Sequence, residues 1–292
     1  MDVVITYVDG NDPVWKQDYE KYTNVPVMQK RFRDWGTLKY LLRGIERHMP
    51  FVRNVFLVVS HPSQVPEWVN HENLNVVLHS DFIPAELLPT FNCNPIEMHL
   101  HLIKGLDEEY IYFNDDLFPV ADCSPEDFYR GDKAVLGFSS HWMSRGIFKR
   151  ICKNSDEHAR KILGMPASCR FVRPQHTCQP MFKSLCSKVY DELKDEILGS
   201  MTRTRTARNL NQYLYLDYAF YSGCIIPERI SCRHFSVAIA SASKIRSFIA
   251  NPDRNLMCIN DVRLSKKRFE TMQETILTAF EKKFPEKSRF EK

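Results

Sequence analysis

The segment YIYFNDDLFPV, residues 110–120, runs an apolar strand pattern straight into Asn114, Asp115 and Asp116. Adjacent carboxylates repel each other, so an ordinary turn has no need of both. In one reading, one acid closes the turn and the other is solvated. In the other, they are hard oxygen ligands at the carboxyl end of a strand, holding a divalent cation against phosphates. More acids follow other strand patterns: Asp9 and Asp12 come after DVVITYV, and Asp81 after NVVLHS. Acids gathered at several strand ends point to a metal or phosphate site better than one doublet does. CIND, 258–261, repeats the Asn-Asp pattern at Asn260 and Asp261.

Other residues add to the set. In NPIEMHLHLIKG, Asn94 reads as an N-cap with Pro95 at the first helical position and Gly105 closing the helix. Glu97, His101 and Lys104 then share a face, as an exposed pair or as groups that orient a substrate hydroxyl. His176 lies between two prolines in FVRPQHTCQP, either as a structural histidine or as a proton carrier. Arg203, Arg205 and Arg208 precede a helical pattern, where guanidinium forks and a helix start suit phosphate.

These residues need a frame. DVVITYV, NVFLVVS, NVVLHS, EYIYF and AVLGF read as five strands. A helix lies between the first two, with Leu38, Leu41, Leu42 and Ile45 as its buried stripe and Asp34 as its cap. This alternation predicts an α/β fold, a mostly parallel sheet whose ligands sit beyond the strands' carboxyl ends. The later half reads as helical near 183–198, 208–221 and 266–284, the last with Phe269, Met272, Ile276 and Phe280 as core. One domain, 1–292, is expected, with an α/β core in 1–140 and a helical portion in 141–292.

Composition sets the outer bounds. The chain has 292 residues, 43% hydrophobic and 26% charged, enough for a sizeable core. No apolar run reaches the roughly 18 residues that span a bilayer, and the N-terminus opens on a strand pattern, so a cytoplasmic protein is expected. Nine scattered cysteines fit small buried hydrophobes in a reducing compartment better than a zinc site. A net charge of +4 suits anionic small substrates and does not argue for nucleic acid. Lys266–Lys292 carries 8 basic and 5 acidic residues, a net of 8 − 5 = +3. That tail offers one weak route to peripheral attachment at the inner face of the cell membrane.

Taken in order, ITYVDGNDP, RFRDWGTLKYLLRGIERHMPFVRNVFLVVS, LPTFNCNPIEMHLHLIKGL, YIYFNDDLF, RPQHTCQPMFK and CIND resemble the Stealth proteins, the sugar-1-phosphate transferases of capsule synthesis. Cys178 stands where the pattern expects proline, and Asn209 where it expects aspartate. The resemblance implies a Rossmann-like or GT-A-like sheet and transfer of a hexose-1-phosphate from a nucleotide-diphospho-sugar, usually a UDP-sugar. The acceptor is a glycan hydroxyl, the product a phosphodiester, the leaving group a nucleoside monophosphate, and the cofactor Mg²⁺ or Mn²⁺. On that reading Asp115 and Asp261 hold the metal, Arg205 stabilises the transferring phosphoryl, and Asp116 or His176 takes the acceptor proton. Asp9, Gly10, Asn11, Asp12, Arg33 and Asp34 line the donor pocket, with Asn94, Glu97 and Asn260 as further substrate contacts. The rival reading is a metal-dependent glycosyltransferase that releases a nucleoside diphosphate.

Overall fold

A computed structural model describes residues 1–292, leaving aside the side chain of Gln29. Its first elements are β1 (Asp2–Thr6), α1 (Pro13–Tyr22), α2 (Gln29–Phe32), α3 (Leu38–His48), β2 (Val55–Val59) and β3 (Asn75–Leu78). Next come α4 (Cys93–His99), β4 (Glu109–Asn114), β5 (Leu117–Pro119), β6 (Tyr129–Arg130), β7 (Lys133–Val135), β8 (Phe138–His141) and α5 (Ile147–Ile162). Then follow β9 (Phe171–Pro174), β10 (Gln179–Phe182), α6 (Lys183–Glu192), α7 (Lys194–Ser200), α8 (Tyr213–Tyr221) and β11 (Ile225–Ile226). The chain closes with β12 (Cys232–Ser236), α9 (Ala242–Ala250), β13 (Leu256–Asn260) and α10 (Lys266–Lys283). The class is α/β with a mostly parallel central sheet, as the alternation predicts. No helix among the described residues is long and apolar enough to cross a membrane.

Two compact units interleave along the chain. The first takes Met1–Asp2, Val77–Tyr112 and Pro125–Ile230; the second takes Val3–Val76, Phe113–Ser124 and Ser231–Lys292.

In the second unit β1 and β2 run parallel, with Val3 opposite Val55 and Thr6 opposite Val58. Their side chains from Val3 to Ile5 and Val55 to Val59 are buried without alternation, because both faces of a parallel sheet are covered. A three-stranded sheet, β12-β13-β5, sets β13 parallel to β12 and antiparallel to β5. α3 comes so close to β5 that a Cβ on Gly44 would lie 2.5 Å from the Pro119 carbonyl oxygen. The α10 stripe is core, as its spacing predicts: Met272, Ile276 and Phe280 are fully buried, and Phe280 packs on Tyr40 and Phe118. Arg43, buried in α3, forks onto Glu291 at 2.7 Å through both Nε and Nη2, and donates from Nη1 to the Phe284 carbonyl.

In the first unit β10 lies antiparallel to β4, Pro180 opposite Ile111, and forms the sheet's edge, where a proline's missing N–H is tolerated. The Tyr129 hydroxyl ties that pair together, lying within 2.8 Å of the Tyr110 and Met181 carbonyls, which share its one proton, and accepting from the Met181 N–H at 2.8 Å.

Several local expectations shift. AVLGF is not one strand: it breaks at Gly137, where a Cβ would meet Arg229 and Gln175, and its ends enter different sheets. α3 is preceded by Thr37 rather than capped by Asp34. α4 is capped by the Asn92 side chain, which accepts from the Asn94 N–H, so Pro95 is its third residue. The pattern at 183–198 divides at Leu193, and that at 208–221 becomes helical only from Tyr213.

The Arg43–Glu291 pair is buried on both sides, at 7% and 5% exposed. Glu291→Ala leaves the buried guanidinium only the more distant, half-exposed Glu281 at 3.7 Å and should cost about 3 kcal/mol. Urea unfolding measures this, and Arg43→Met in the same chain should recover part of the loss.

Candidate active site

Each unit carries its own group of candidate residues. In the second, the loop after β1 is tied down at both ends. The Asp9 N–H donates to Gln64 Oε1 at 2.7 Å, and the Gln64 amide donates back to the Asp9 carbonyl at 3.1 Å. Asp9 Oδ1 accepts from the Asn11 N–H, closing the turn. The Gly10 N–H donates to the Phe32 carbonyl at 2.6 Å, and any Cβ there would collide with that oxygen. Asp12 is taken up as the cap of α1, its Oδ1 accepting from the Trp15 N–H at 2.7 Å. Asn11 projects outward and is exposed.

The doublet that opened the sequence is the two-residue corner where the chain leaves the central sheet at Asn114 and enters the three-stranded sheet at Leu117. β13 fixes this corner. Cys258 pairs with Leu117, the Ile259 N–H donates to the Asp116 carbonyl at 2.8 Å, and Cys258 Sγ lies 3.6 Å from Asp116 Oδ2. Asp115 is pushed up to about 8 by burial and by the charges of Asp116 and Asp34. Asp34 is itself raised, first by burial and also by Asp9, although it accepts from the Gly36 N–H at 2.8 Å and bonds Tyr7. Tyr7 is raised by burial and by Asp34, Asp9 and Asp115. One electrostatic neighbourhood thus holds Asp9, Asp34, Asp115 and Asp116.

Asp261 belongs to a different set: its carboxylate accepts from Trp35 Nε1 at 3.2 Å and from Arg33 at 3.4 Å. The Arg33 guanidinium also lies 4.5 Å from the Phe269 ring centroid. Asn260 ends β13 with an exposed side chain.

The chemistry of this donor set suits a hard divalent cation. Asp115 has carboxylates for its named electrostatic neighbours, so its charge is opposed rather than compensated. A raised carboxyl pKa destabilises the fold as pH climbs from about 4 towards about 8, because the unfolded chain gives up that proton first. Asp115→Asn should therefore raise the melting temperature of the metal-free protein most at pH 8 and much less at pH 5. A thermal scan at both pH values checks this.

In the first unit, Arg205 donates to Cys93 Sγ in a short contact, and Cys93 and Glu97 hold its charge in place. Burial pushes the Cys93 thiol up to about 12, against the pull of Arg205. Burial also raises Glu97, while Arg205, Cys93, the Tyr112 hydroxyl at 3.3 Å and His176 stabilise its charge. Glu97 does not pair with His101. That ring is buried against Tyr190 and Tyr215, so of the expected shared face Glu97 and His101 are interior while Lys104 is exposed. Asn94 is buried, and its amide nitrogen has no hydrogen-bond partner among the described residues. His176 stands exposed in the loop joining β9 to β10. Arg203, Arg205 and Arg208 lie on the turns before α8 rather than at its first residues.

Asn209 repays attention as a departure from the expected aspartate. Fully buried, it donates to the Ser200 carbonyl and Thr202 Oγ1 and accepts from Asn92 Nδ2 and the Thr206 N–H. Both ends of the amide are used, which joins the cap of α4 to the loop bearing Arg205. Tyr7, Asn92, Cys93 and Gln64 escape a sequence reading focused on acids and bases; the cap preference of Asn92 was the one signal available. Asn209→Asp removes both donors and sets a carboxylate against a carbonyl. It should cost at least about 2 kcal/mol, read by chemical denaturation.

Comparison with known proteins gives this geometry a context. The family description "Stealth protein CR2, conserved region 2" matches residues 31–136. A capsular polysaccharide phosphotransferase WcwK from Streptococcus pneumoniae is 31% identical, over 100% of this chain and 99% of its own length. A capsular polysaccharide phosphotransferase from Actinobacillus suis is 29% identical, over 91% and 78%. Among solved structures, the galactosyltransferase LgtC in complex with donor and acceptor sugar analogs is 12% identical, over 94% of this chain and 96% of that one, with a TM-score of 0.40. A likeness that weak adds nothing to the chemistry. Full-length identity to the pneumococcal protein does decide the family, and the chain belongs to the Stealth proteins.

Proposed function

We propose that the chain transfers a hexose-1-phosphate from a nucleotide-diphospho-sugar, a UDP-sugar, to a hydroxyl of a capsular or other surface glycan. The acceptor oxygen forms a bond to the sugar-bearing phosphorus, and the bond from that phosphorus to the bridging oxygen breaks. The nucleoside monophosphate leaves and the acceptor proton passes to a base. Relatives named polysaccharide phosphotransferases support the reaction class. The observation that carries the donor side is the corner that β13 holds at Asp115 and Asp116, where burial and the charges of Asp116 and Asp34 push the Asp115 carboxyl up to about 8. Such a group suits a site that is completed by a cation.

Mg²⁺ or Mn²⁺, when bound, supplies the positive charge that the donor's diphosphate requires. We assign Asp115 as a ligand, with Asp34 and Asp116 as the nearest further carboxylates, and Asp261 as a donor-side residue acting through Arg33. The Asp9–Asn11 turn receives the nucleotide-sugar, with Asp12 holding α1 in place beside it. Arg205 faces the transferring phosphoryl, where its fork neutralises equatorial oxygens, and Glu97 and Cys93 keep it ionised and oriented. The unpartnered Asn94 amide is a donor for substrate oxygen. Asp116 or His176 accepts the acceptor proton.

The test is the nucleotide product. Pure protein given UDP-sugars and an acceptor glycan should release UMP, dependent on divalent metal. Release of UDP would replace this reading with glycosyl transfer, and full turnover after exhaustive chelation would remove the metal. Arg205→Lys keeps charge but loses the fork, and should lower kcat at least about a hundredfold.

A further inference from the structure

The large apolar side chains that remain exposed are not spread evenly. Trp142 is 71% exposed, Met143 42%, Ile147 46% and Phe148 40%, all within seven residues that lead from β8 into the first turn of α5. Elsewhere each of these residue types is mostly core, so a run of this kind on a surface calls for a partner. The same stretch is charged with one sign. From Phe138 to Ser155 there is no acidic residue, while Arg145, Lys149, Arg150 and Lys153 supply four cations. Lys153 is used by Glu157 at 3.3 Å, but Arg145, Lys149 and Arg150 meet no carboxylate among the described residues. The register of β8 on β9, His141 opposite Phe171, brings exposed Arg170 to the same end of that strand pair.

We infer that this patch is a docking surface for an anionic phospholipid bilayer. Tryptophan and aliphatic side chains enter the headgroup boundary, and arginine and lysine between them meet lipid phosphates. A glycan surface would pair its aromatics with carboxylate and amide acceptors, and the stretch offers neither before Asn154. A second copy of the chain would set Arg145, Lys149 and Arg150 against themselves across a two-fold axis, which repels. The basic helix α10 does not serve in this role, because its apolar stripe is occupied as core.

Vesicles of phosphatidylcholine with phosphatidylglycerol, compared with phosphatidylcholine alone, decide it by sedimentation at low salt. The wild-type chain should sediment with the anionic vesicles only, with Trp142 emission shifting to the blue. Trp142→Ser with Met143→Ser, and separately Arg145→Glu with Arg150→Glu, should lower the partition coefficient at least about tenfold. Circular dichroism and turnover of soluble donor and acceptor should stay near wild type. The inference is overturned if the wild type remains in the supernatant, or if both variants sediment as well as it does. It is also overturned if the patch variants abolish a dimer seen in sedimentation velocity, or if a soluble glycan alone shifts Trp142.

Discussion

Half-buried carboxylates stay close together only when the backbone holds them there, and that constraint governs the second unit. Asp115 and Asp116 occupy a corner between two sheets, and the strand pairing of β13 with β5 holds that corner against their repulsion. Asp34 is fixed by its turn onto Gly36 and by Tyr7, and Asp9 by the buried Gln64. Asp34 and Asp9 each gain a backbone hydrogen bond, yet none of the named neighbours of Asp115 carries a positive charge. Like charges at this place raise one another's proton affinity, and the proposed cation would offset that repulsion.

Much of this was legible beforehand for a definite reason. The β-branched runs of β1 and β2 and the 3.6-residue stripe of α10 are patterns that burial itself imposes on a sequence. The acids at strand ends were visible because so many carboxylates have no role in a hydrophobic frame. Hidden were the features that depend on what lies opposite. Asp12, read as part of the donor pocket, also caps α1, and Glu97 and His101, read as an exposed pair or as groups that orient a hydroxyl, are both interior. AVLGF had the composition of one strand, yet the space beside Gly137 breaks it. Local pattern cannot report such contacts, since Arg205 and Cys93 stand 112 residues apart.

The amides show how the first unit solves a related problem without charge. Asn92 caps α4 and reaches Asn209, whose amide serves the 200–206 segment from both ends. A carboxylate can only accept, whereas this position needs two donors and two acceptors at once. The replacement of an expected aspartate by asparagine is thus an answer to geometry. It also explains how a loop rich in arginine stays ordered without an acidic partner at that position.

The interleaving of the units bears on how the chain is made. Val3–Val76 is made before Ser231–Lys292, which holds the strand that pins the Asp115 corner and the helix that packs on Tyr40 and Phe118. At roughly 5 to 20 residues per second, the whole of Pro125–Ile230 must be translated in between, which takes several seconds. During that interval Tyr40 of α3 lacks the Phe280 ring that stacks on it, and the Asp115 corner lacks β13. Completion of the second unit therefore waits on a segment that belongs wholly to the first.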